Sequence, residues 1–183
     1  KGFHHAANAF SQFAAIQLSY SIVHEEFHVV EEDEVKNLHC FIENKSSVLI
    51  TTEIIGDVFG KSYLLMTDQE FDAISGGTFG NGSAVNDIRE EFIKELDNIL
   101  SASVITKLAN DLRLKIYGNV PIMIRPFSCD MKSVIADDFA EDASGVYITA
   151  IRFSLAANPD LKPCFVWVMH QDLFSMIESR QTT

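Results

Sequence analysis

One long amphipathic helix dominates the sequence. Over residues 87–110, apolar side chains recur every four residues, at Phe92, Leu96, Leu100 and Val104. This period places the four side chains on one face of an α-helix. Such a face is normally buried against another element, so the pattern predicts an ordinary globular domain rather than a disordered chain.

Strand-forming segments rich in β-branched and aromatic residues occupy much of the remaining chain. Strands are predicted over residues 22–30, 47–55, 61–66, 113–117, 146–155 and 165–169. Helices are predicted over 6–18, over 68–74 with Asp68 as the N-cap, and over about 172–178. Residues 121–142 have no clear period and are predicted to be irregular or mixed.

The two halves of the chain resemble each other, since each runs from a helix through strands to a strand-and-short-helix junction. Three residues match at a common offset of 103, namely Met66, Phe71 and Ile74 with Met169, Phe174 and Ile177. We therefore predict one domain over residues 1–183, with pseudo-repeats at about 1–75 and 85–183 and a Gly-rich linker at 76–84. The alternative is that two unrelated junctions happen to share these residue types.

Charge and composition exclude several classes of function. With 26 acidic and 14 basic residues, the net charge is −12, so the basic footprint of a nucleic-acid-binding protein is missing. No apolar run approaches 18 residues, which argues against membrane insertion. Three irregularly spaced cysteines indicate reduced thiols rather than a disulfide framework, and we expect a cytoplasmic protein.

A polar stripe lies opposite the apolar face of the long helix. Glu91, Glu95 and Asn98 stand at positions i, i+4 and i+7, and the small residue Ala102 continues the same stripe. From spacing alone, an ordinary solvated helix face is the simpler interpretation. A functional interpretation needs further residues that fit the same chemistry.

Those further residues resemble a known family. Glu95-Leu96-Asp97-Asn98, followed after 22 residues by Pro121, resembles the E-x-x-N-x22-P signature of the CheC/CheX/FliY phosphatases of bacterial chemotaxis. Residues 56–65 resemble the G-D-x-x-G-x-x-L-L hairpin of that family, and residues 6–11 resemble its first helix. The resemblance implies an α/β (α+β) CheC-like fold with pseudo-twofold halves, in which long helices pack on a largely antiparallel sheet.

The resemblance also implies an activity, which is hydrolysis of the aspartyl phosphate of a CheY-type receiver domain in chemotaxis or two-component signalling. Asn98 would position the attacking water, since an amide both accepts and donates hydrogen bonds. Glu95 would pair with a receiver lysine, Glu91 would assist docking, and Pro121 would shape the neighbouring loop. The Mg²⁺ would belong to the receiver, so no cofactor or metal ligand of this chain's own is expected.

The sequence departs from the family pattern in two respects. Glu91 stands where the family has Asp or Ser, which keeps an acceptor but lengthens it. A first E-x-x-N motif would lie upstream of Lys1, and Val23 stands where the matching proline is expected. One intact site resembles the CheX arrangement in number, and whether the chain forms a homodimer stays open.

Two other motifs have a structural explanation. His24-Glu25-Glu26-Phe27-His28 fits the H-E-x-x-H zinc-protease pattern, but its β-branched flanks predict a strand, where the two histidines would be about 13 Å apart. Gly60-Lys61-Ser62 resembles a phosphate-binding loop, yet a strand and not a helix follows it. We therefore predict neither a zinc site nor a nucleotide site.

Two alternative functions stay open. The first is a non-catalytic CheC-like binding or scaffold module that docks a receiver, the deamidase CheD or a flagellar switch protein. Intact Glu95 and Asn98 argue against it, but the missing first motif leaves it open. The second is a metalloprotease, which rests on the H-E-x-x-H pattern alone.

Overall fold

The computed structural model describes residues 18–30, 46–79, 86–139, 145–155, 158–173 and 176, with the backbone alone at 18–30, 77–79 and 155. In chain order, the elements are β1 Leu18–Val30, β2 Val48–Gly56, β3 Gly60–Met66, α1 Asp68–Phe79, α2 Asn86–Leu112, β4 Ile116–Gly118, β5 Ile122–Ile124, α3 Met131–Asp138, β6 Val146–Leu155 and β7 Cys164–His170. The predicted helix over 6–18 and the matched residues Phe174 and Ile177 lie outside the described residues, apart from Leu18 at the start of β1.

The strands form one sheet with the order β1-β6-β7-β3-β2-β4, and β5 also pairs with β2. Every pairing is antiparallel, which confirms the predicted sheet type. The order is symmetrical about the central β3–β7 pair, because hairpin β2–β3 lies on one side and hairpin β6–β7 on the other. A duplicated chain would have this order, and the duplication itself stays a prediction.

Helices cover both faces of the sheet. Successive strand residues point to opposite faces, so Leu64 and Met66 of β3 pack towards α1 and α2, whereas Tyr63 and Leu65 pack towards α3. Phe165 of β7 belongs to the first core, at the centre of the sheet. The fold is therefore the predicted α+β arrangement of helices on an antiparallel sheet.

The long helix α2 matches its prediction closely, since residues 87–110 were expected and Asn86–Leu112 are helical. Leu96, Leu100 and Val104 are buried, and Phe92 packs at the margin of the same core. In the described part of the chain, no helix combines the length and the apolar character needed to cross a membrane.

Helix α1 is longer than predicted. It was expected to end at residue 74, with a linker from 76, but it runs through Gly76 and Gly77 to Phe79. Glycine is a poor helix former, which is why the sequence indicated an end there. Tertiary contacts stabilise this turn instead, because Ser75 is buried, donates to the Phe71 carbonyl and accepts from the Arg89 Nε.

The start of α1 is capped by Thr67 rather than by Asp68. The Thr67 Oγ1 accepts from the Glu70 backbone N–H at 3.2 Å, and the Glu70 carboxylate accepts from the Thr67 N–H at 2.7 Å. These reciprocal hydrogen bonds form a capping box. Asp68 is instead the first helical residue.

The segment predicted to be irregular or mixed contains two regular elements, β5 and α3. The Asp130 side chain caps α3 by accepting from the Lys132 N–H. Met131 and Ile135 of α3 are fully buried against the second sheet face. Eight residues offer too few turns for a clear helical period, so the sequence pattern was weak there.

The strand predictions for the two remaining motifs are confirmed. His24 and His28 lie on β1, and Gly60-Lys61-Ser62 begins β3. Within the described ranges, no group of three or more His, Cys, Asp or Glu residues could hold a metal ion.

The tight end of β2 leads to a first testable prediction. Gly56 has a φ of +123°, and a Cβ added there would lie 2.0 Å from the Lys115 carbonyl oxygen. We expect Gly56→Ala to destabilise the fold by about 2 kcal/mol or more, since it combines a strained backbone with a backbone clash. Urea unfolding of the variant would measure the change, and unaltered stability would contradict this account of the turn.

Candidate functional site

The polar stripe of α2 faces away from the sheet, as the helical period predicts. Glu91, Glu95, Asn98 and Ala102 are all exposed. Leu96, between the two motif residues in sequence, is fully buried on the opposite side. The burial of the apolar face therefore fixes which way Glu95 and Asn98 point.

A groove of about 340 Å³ lies between this stripe and the loop that follows β4. It is lined by Glu91, Lys94, Glu95, Asn98, Gly118, Asn119, Val120 and Pro121, which we call the motif groove. All four site residues singled out from the sequence lie in it. Pro121 in particular is 23 residues from Asn98 in sequence and lines the same groove.

Strand β2 holds the loop wall of the motif groove. Gly118 pairs with Ile54 at the end of the β2–β4 ladder. The next residue, Asn119, donates from its backbone N–H to the Glu53 carbonyl at 2.8 Å and from Nδ2 to the Glu53 carboxylate at 3.3 Å. Pro121 follows two residues later, and its fixed φ stiffens the loop.

The helix wall carries an amide, two carboxylates and an ammonium. Asn98 Nδ2 donates a long hydrogen bond of 3.4 Å to Glu95 Oε2. Among the described residues, no partner contacts the Asn98 Oδ1, so this oxygen can accept a hydrogen bond from a bound molecule. Lys94 forms an ion pair with Glu91.

Lys94 was missed at the sequence level. It places a positive charge in a groove that otherwise carries two carboxylates. The signal was present, because Lys94 is three residues after Glu91 and four before Asn98, which puts it at the edge of the same helix face. It was overlooked because the family signature contains no residue at that position.

Asp97, between Glu95 and Asn98, points the other way. It is fully buried, and its Oδ2 accepts a hydrogen bond from the Thr52 hydroxyl at 2.6 Å. Its Oδ1 has no partner among the described residues. Loss of hydration raises the pKa of Asp97 to about 7, although the Thr52 hydrogen bond acts in the opposite direction.

Several apolar side chains are exposed on β2, β4, β5 and the loop between β4 and β5, and the strand register turns those on the strands to the sheet face opposite α2. Val120 in the groove is 77% exposed. Ile55 and Tyr117 are cross-strand neighbours on β2 and β4, and Ile122 and Ile124 continue the exposed set on β5. Apolar residues grouped in this way are typical of a surface that contacts another protein.

Comparison with known proteins supports the fold at the level of three-dimensional structure only. No protein-family profile matches the sequence, and no curated protein matches it significantly. The solved structure of Thermotoga maritima FliY is 14% identical, with a TM-score of 0.61 over 97% of this chain and 88% of that chain. CheX in the CheX–CheY–BeF₃–Mg²⁺ complex of Borrelia burgdorferi is 15% identical, with a TM-score of 0.56 over 93% and 96%.

This chain has the CheC/CheX/FliY fold. The fold prediction made from the sequence is therefore confirmed. The FliM middle domain of Vibrio alginolyticus is also similar, at 11% identity and a TM-score of 0.60 over 99% of this chain and 94% of that chain. At such identities, the comparison establishes the CheC/CheX/FliY fold and leaves the roles of Glu91, Glu95, Asn98 and Pro121 as predictions.

Proposed function

We propose that this protein hydrolyses the aspartyl phosphate of a CheY-type receiver domain, in chemotaxis or two-component signalling. The observation that carries the proposal is the motif groove, where Glu95 and Asn98 of α2 meet Pro121 of the loop. The signature predicted this meeting from a gap of 22 residues between Asn98 and Pro121. This arrangement supports the proposal, because the three residues that the signature names line the same groove.

The chemistry requires a water molecule in line with the leaving carboxylate oxygen of the acyl phosphate. The water oxygen bonds to phosphorus, the bond from phosphorus to the aspartyl oxygen breaks, and inorganic phosphate leaves. Positioning and electrostatic stabilisation supply most of the catalysis in such transfers. The Oδ1 of Asn98 accepts from the water, and its Nδ2 can donate to a phosphoryl oxygen.

The carboxylates of the motif groove are suited to docking. Glu95 is exposed, and we infer that it pairs with a lysine of the receiver, which sets the register of the complex. Glu91 stands one turn earlier and is held by Lys94 at the rim. In this proposal the Mg²⁺ is held by the acidic pocket of the receiver.

Two further observations support a protein substrate. The similar CheX structure was solved as a complex with CheY. The exposed side chain of Val120 would provide apolar contact area in the groove. With a net charge of −12, long-range electrostatics would not attract an acidic partner, so docking depends on local contacts.

The alternative is a non-catalytic module with this fold that docks a receiver, CheD or a flagellar switch protein. The similarity to the FliM middle domain favours keeping this alternative. It requires binding without turnover. The presence of both Glu95 and Asn98 in one groove favours the phosphatase.

A panel of receivers from the same organism tests the proposal. Each receiver is phosphorylated, and the release of inorganic phosphate is followed with and without this protein, while binding is measured in parallel. Acceleration for at least one receiver supports the phosphatase. Binding without acceleration favours the scaffold alternative, and the absence of both contradicts the phosphatase and any module that docks a receiver.

The docking role of Glu95 gives a further prediction. Glu95→Gln removes the charge but keeps the shape, so we expect the half-saturating receiver concentration to rise about threefold to tenfold with kcat little changed. Asp87→Asn, an equal charge change at an exposed position of α2 outside the groove, is the matched control. A fall in kcat alone, or equal effects of both variants, would refute the assignment.

A further inference from the structure

Thr52 of β2 contacts both α2 and β4, two elements that contribute residues to the motif groove. It is only 1% exposed, and its hydroxyl donates at 2.6 Å to Asp97 on the sheet-facing side of α2. On the loop wall, a Cβ added to Gly118 would lie 3.5 Å from the Thr52 Cγ2, so the threonine methyl faces that glycine. One buried side chain therefore links α2 to the loop.

The next residue of the same strand completes this link. Glu53 holds Asn119 through two hydrogen bonds, one from the backbone N–H and one from the side chain. Thr52 and Glu53 are adjacent in sequence, so their Cα atoms are about 3.8 Å apart. Two adjacent residues of β2 therefore hold helix α2 and the loop after β4 in place relative to each other.

A buried carboxyl such as that of Asp97 is energetically unfavourable at a helix–sheet interface. Its Oδ1 has no partner among the described residues, and a buried carboxyl with an unpaired oxygen costs stability. A well-packed apolar side chain in its place is often neutral or stabilising. A buried carboxyl that lacks a full set of hydrogen bonds, directly before a site residue in sequence, suggests a function beyond packing.

Rotation of α2 about its own axis is the motion that a directional bond at Asp97 would restrict. With side chains about 5–6 Å from the helix axis, a rotation of about 20° would move the Asn98 amide by about 2 Å. A misplacement of about 1 Å can reduce a positioned reaction by about 10²-fold. Apolar contacts of Leu96 and Leu100 are less directional than a hydrogen bond.

We propose that Asp97 is a positioning residue. Its hydrogen bond with Thr52 fixes the rotation of α2 and thereby the position and orientation of the Asn98 amide in the motif groove. This inference rests on the proposed phosphatase function. Asp97 touches neither the water nor the phosphoryl group. It acts through the rotation of α2 relative to Asn119 and Pro121.

The decisive variant is Thr52→Val. Valine keeps the shape and the methyl that faces Gly118, but it cannot donate to Asp97. We expect kcat to fall about tenfold or more, while the half-saturating receiver concentration changes less than about twofold. Asp97→Ala should reduce kcat similarly, and Asp97→Asn, which keeps an acceptor for Thr52, should recover most of it.

The matched control is Ser101→Ala. Ser101 is buried one turn after Asp97 and hydrogen-bonds to Ser62 of β3 at 2.8 Å, so it belongs to the same polar interface without lining the groove. We expect this variant to keep its kcat. Wild-type kcat in Thr52→Val, or an equal loss in Ser101→Ala, would overturn the positioning role.

A second measurement separates this inference from the proposed function. The side-chain NH₂ resonances of Asn98 in a ¹⁵N-correlated NMR spectrum report its orientation without any receiver. We expect Thr52→Val to shift them and Ser101→Ala to leave them in place. If no receiver is hydrolysed but this pattern appears, the proposed function fails while the positioning role stands; unshifted resonances in Thr52→Val would refute the positioning role.

Discussion

Replacing Asn98 by alanine is expected to reduce the dephosphorylation of the receiver by about 10²- to 10³-fold. The amide is the one group of the helix wall that can accept from a water and donate to a phosphoryl oxygen. Its position is exposed, so alanine removes the chemistry without opening a cavity. Steady-state phosphate release would show the loss in kcat, with the half-saturating receiver concentration little changed.

The matched control for this variant is Asn110→Ala. Asn110 is also exposed on α2 but does not line the motif groove. It should retain the wild-type rate. Equal losses in both variants would point to a general effect on the helix, and an unaffected Asn98→Ala would show that the water is positioned by another group.

The second large effect is the pH dependence that Asp97 gives to the stability of the folded state. Burial raises the pKa of Asp97 in the folded state from 3.8 to about 7. The folded state therefore binds more protons than the unfolded state between these values, so stability falls as the pH rises through this window. With about 1.4 kcal/mol for each unit, the ionised carboxylate destabilises the fold by up to about 4 kcal/mol.

Asp97→Asn places a neutral isostere at this position and should remove that loss. We expect the stability of the variant relative to the wild type to increase by about 2 to 3 kcal/mol between about pH 5 and pH 8.5. Urea unfolding of both proteins at both pH values measures this difference, in which the other titrating groups cancel. A difference that does not change with pH would mean that Asp97 has an ordinary pKa in the folded protein.

The exposed carboxylate of Asp87 supplies the control for that experiment. Asp87→Asn changes the same residue type on the same helix, at a position that stays in water. A similar pH dependence in both variants would assign the effect to the net charge and not to burial.

Periodicity was enough to predict the long helix and its two faces. A 27-residue helix contains many turns, so the burial of Leu96 and the exposure of Asn98 follow from the spacing alone. The meeting of Asn98 with Pro121 could not be derived from spacing, because it depends on the pairing of β4 with β2. The prediction that Pro121 belongs to the site came from the resemblance to a family signature.

Other features depend on tertiary contacts that a local pattern does not contain. Gly76 and Gly77 indicated the end of a helix, yet the contact between Ser75 and Arg89 stabilises the longer α1. The hydrogen bond of Asp97 is another such contact, because the hydroxyl that donates to it belongs to Thr52, which lies 45 residues earlier in the chain.

The most direct test of the phosphatase is a single-turnover experiment on a receiver that binds this protein. The phosphorylated receiver is mixed with an excess of wild type, of Asn98→Ala or of buffer, and the decay of the phospho-aspartate is followed. The groove chemistry predicts fast decay with the wild type, and decay near the receiver's own rate with Asn98→Ala although the complex still forms. Decay at the receiver's own rate with the wild type bound would contradict the phosphatase and leave a docking module.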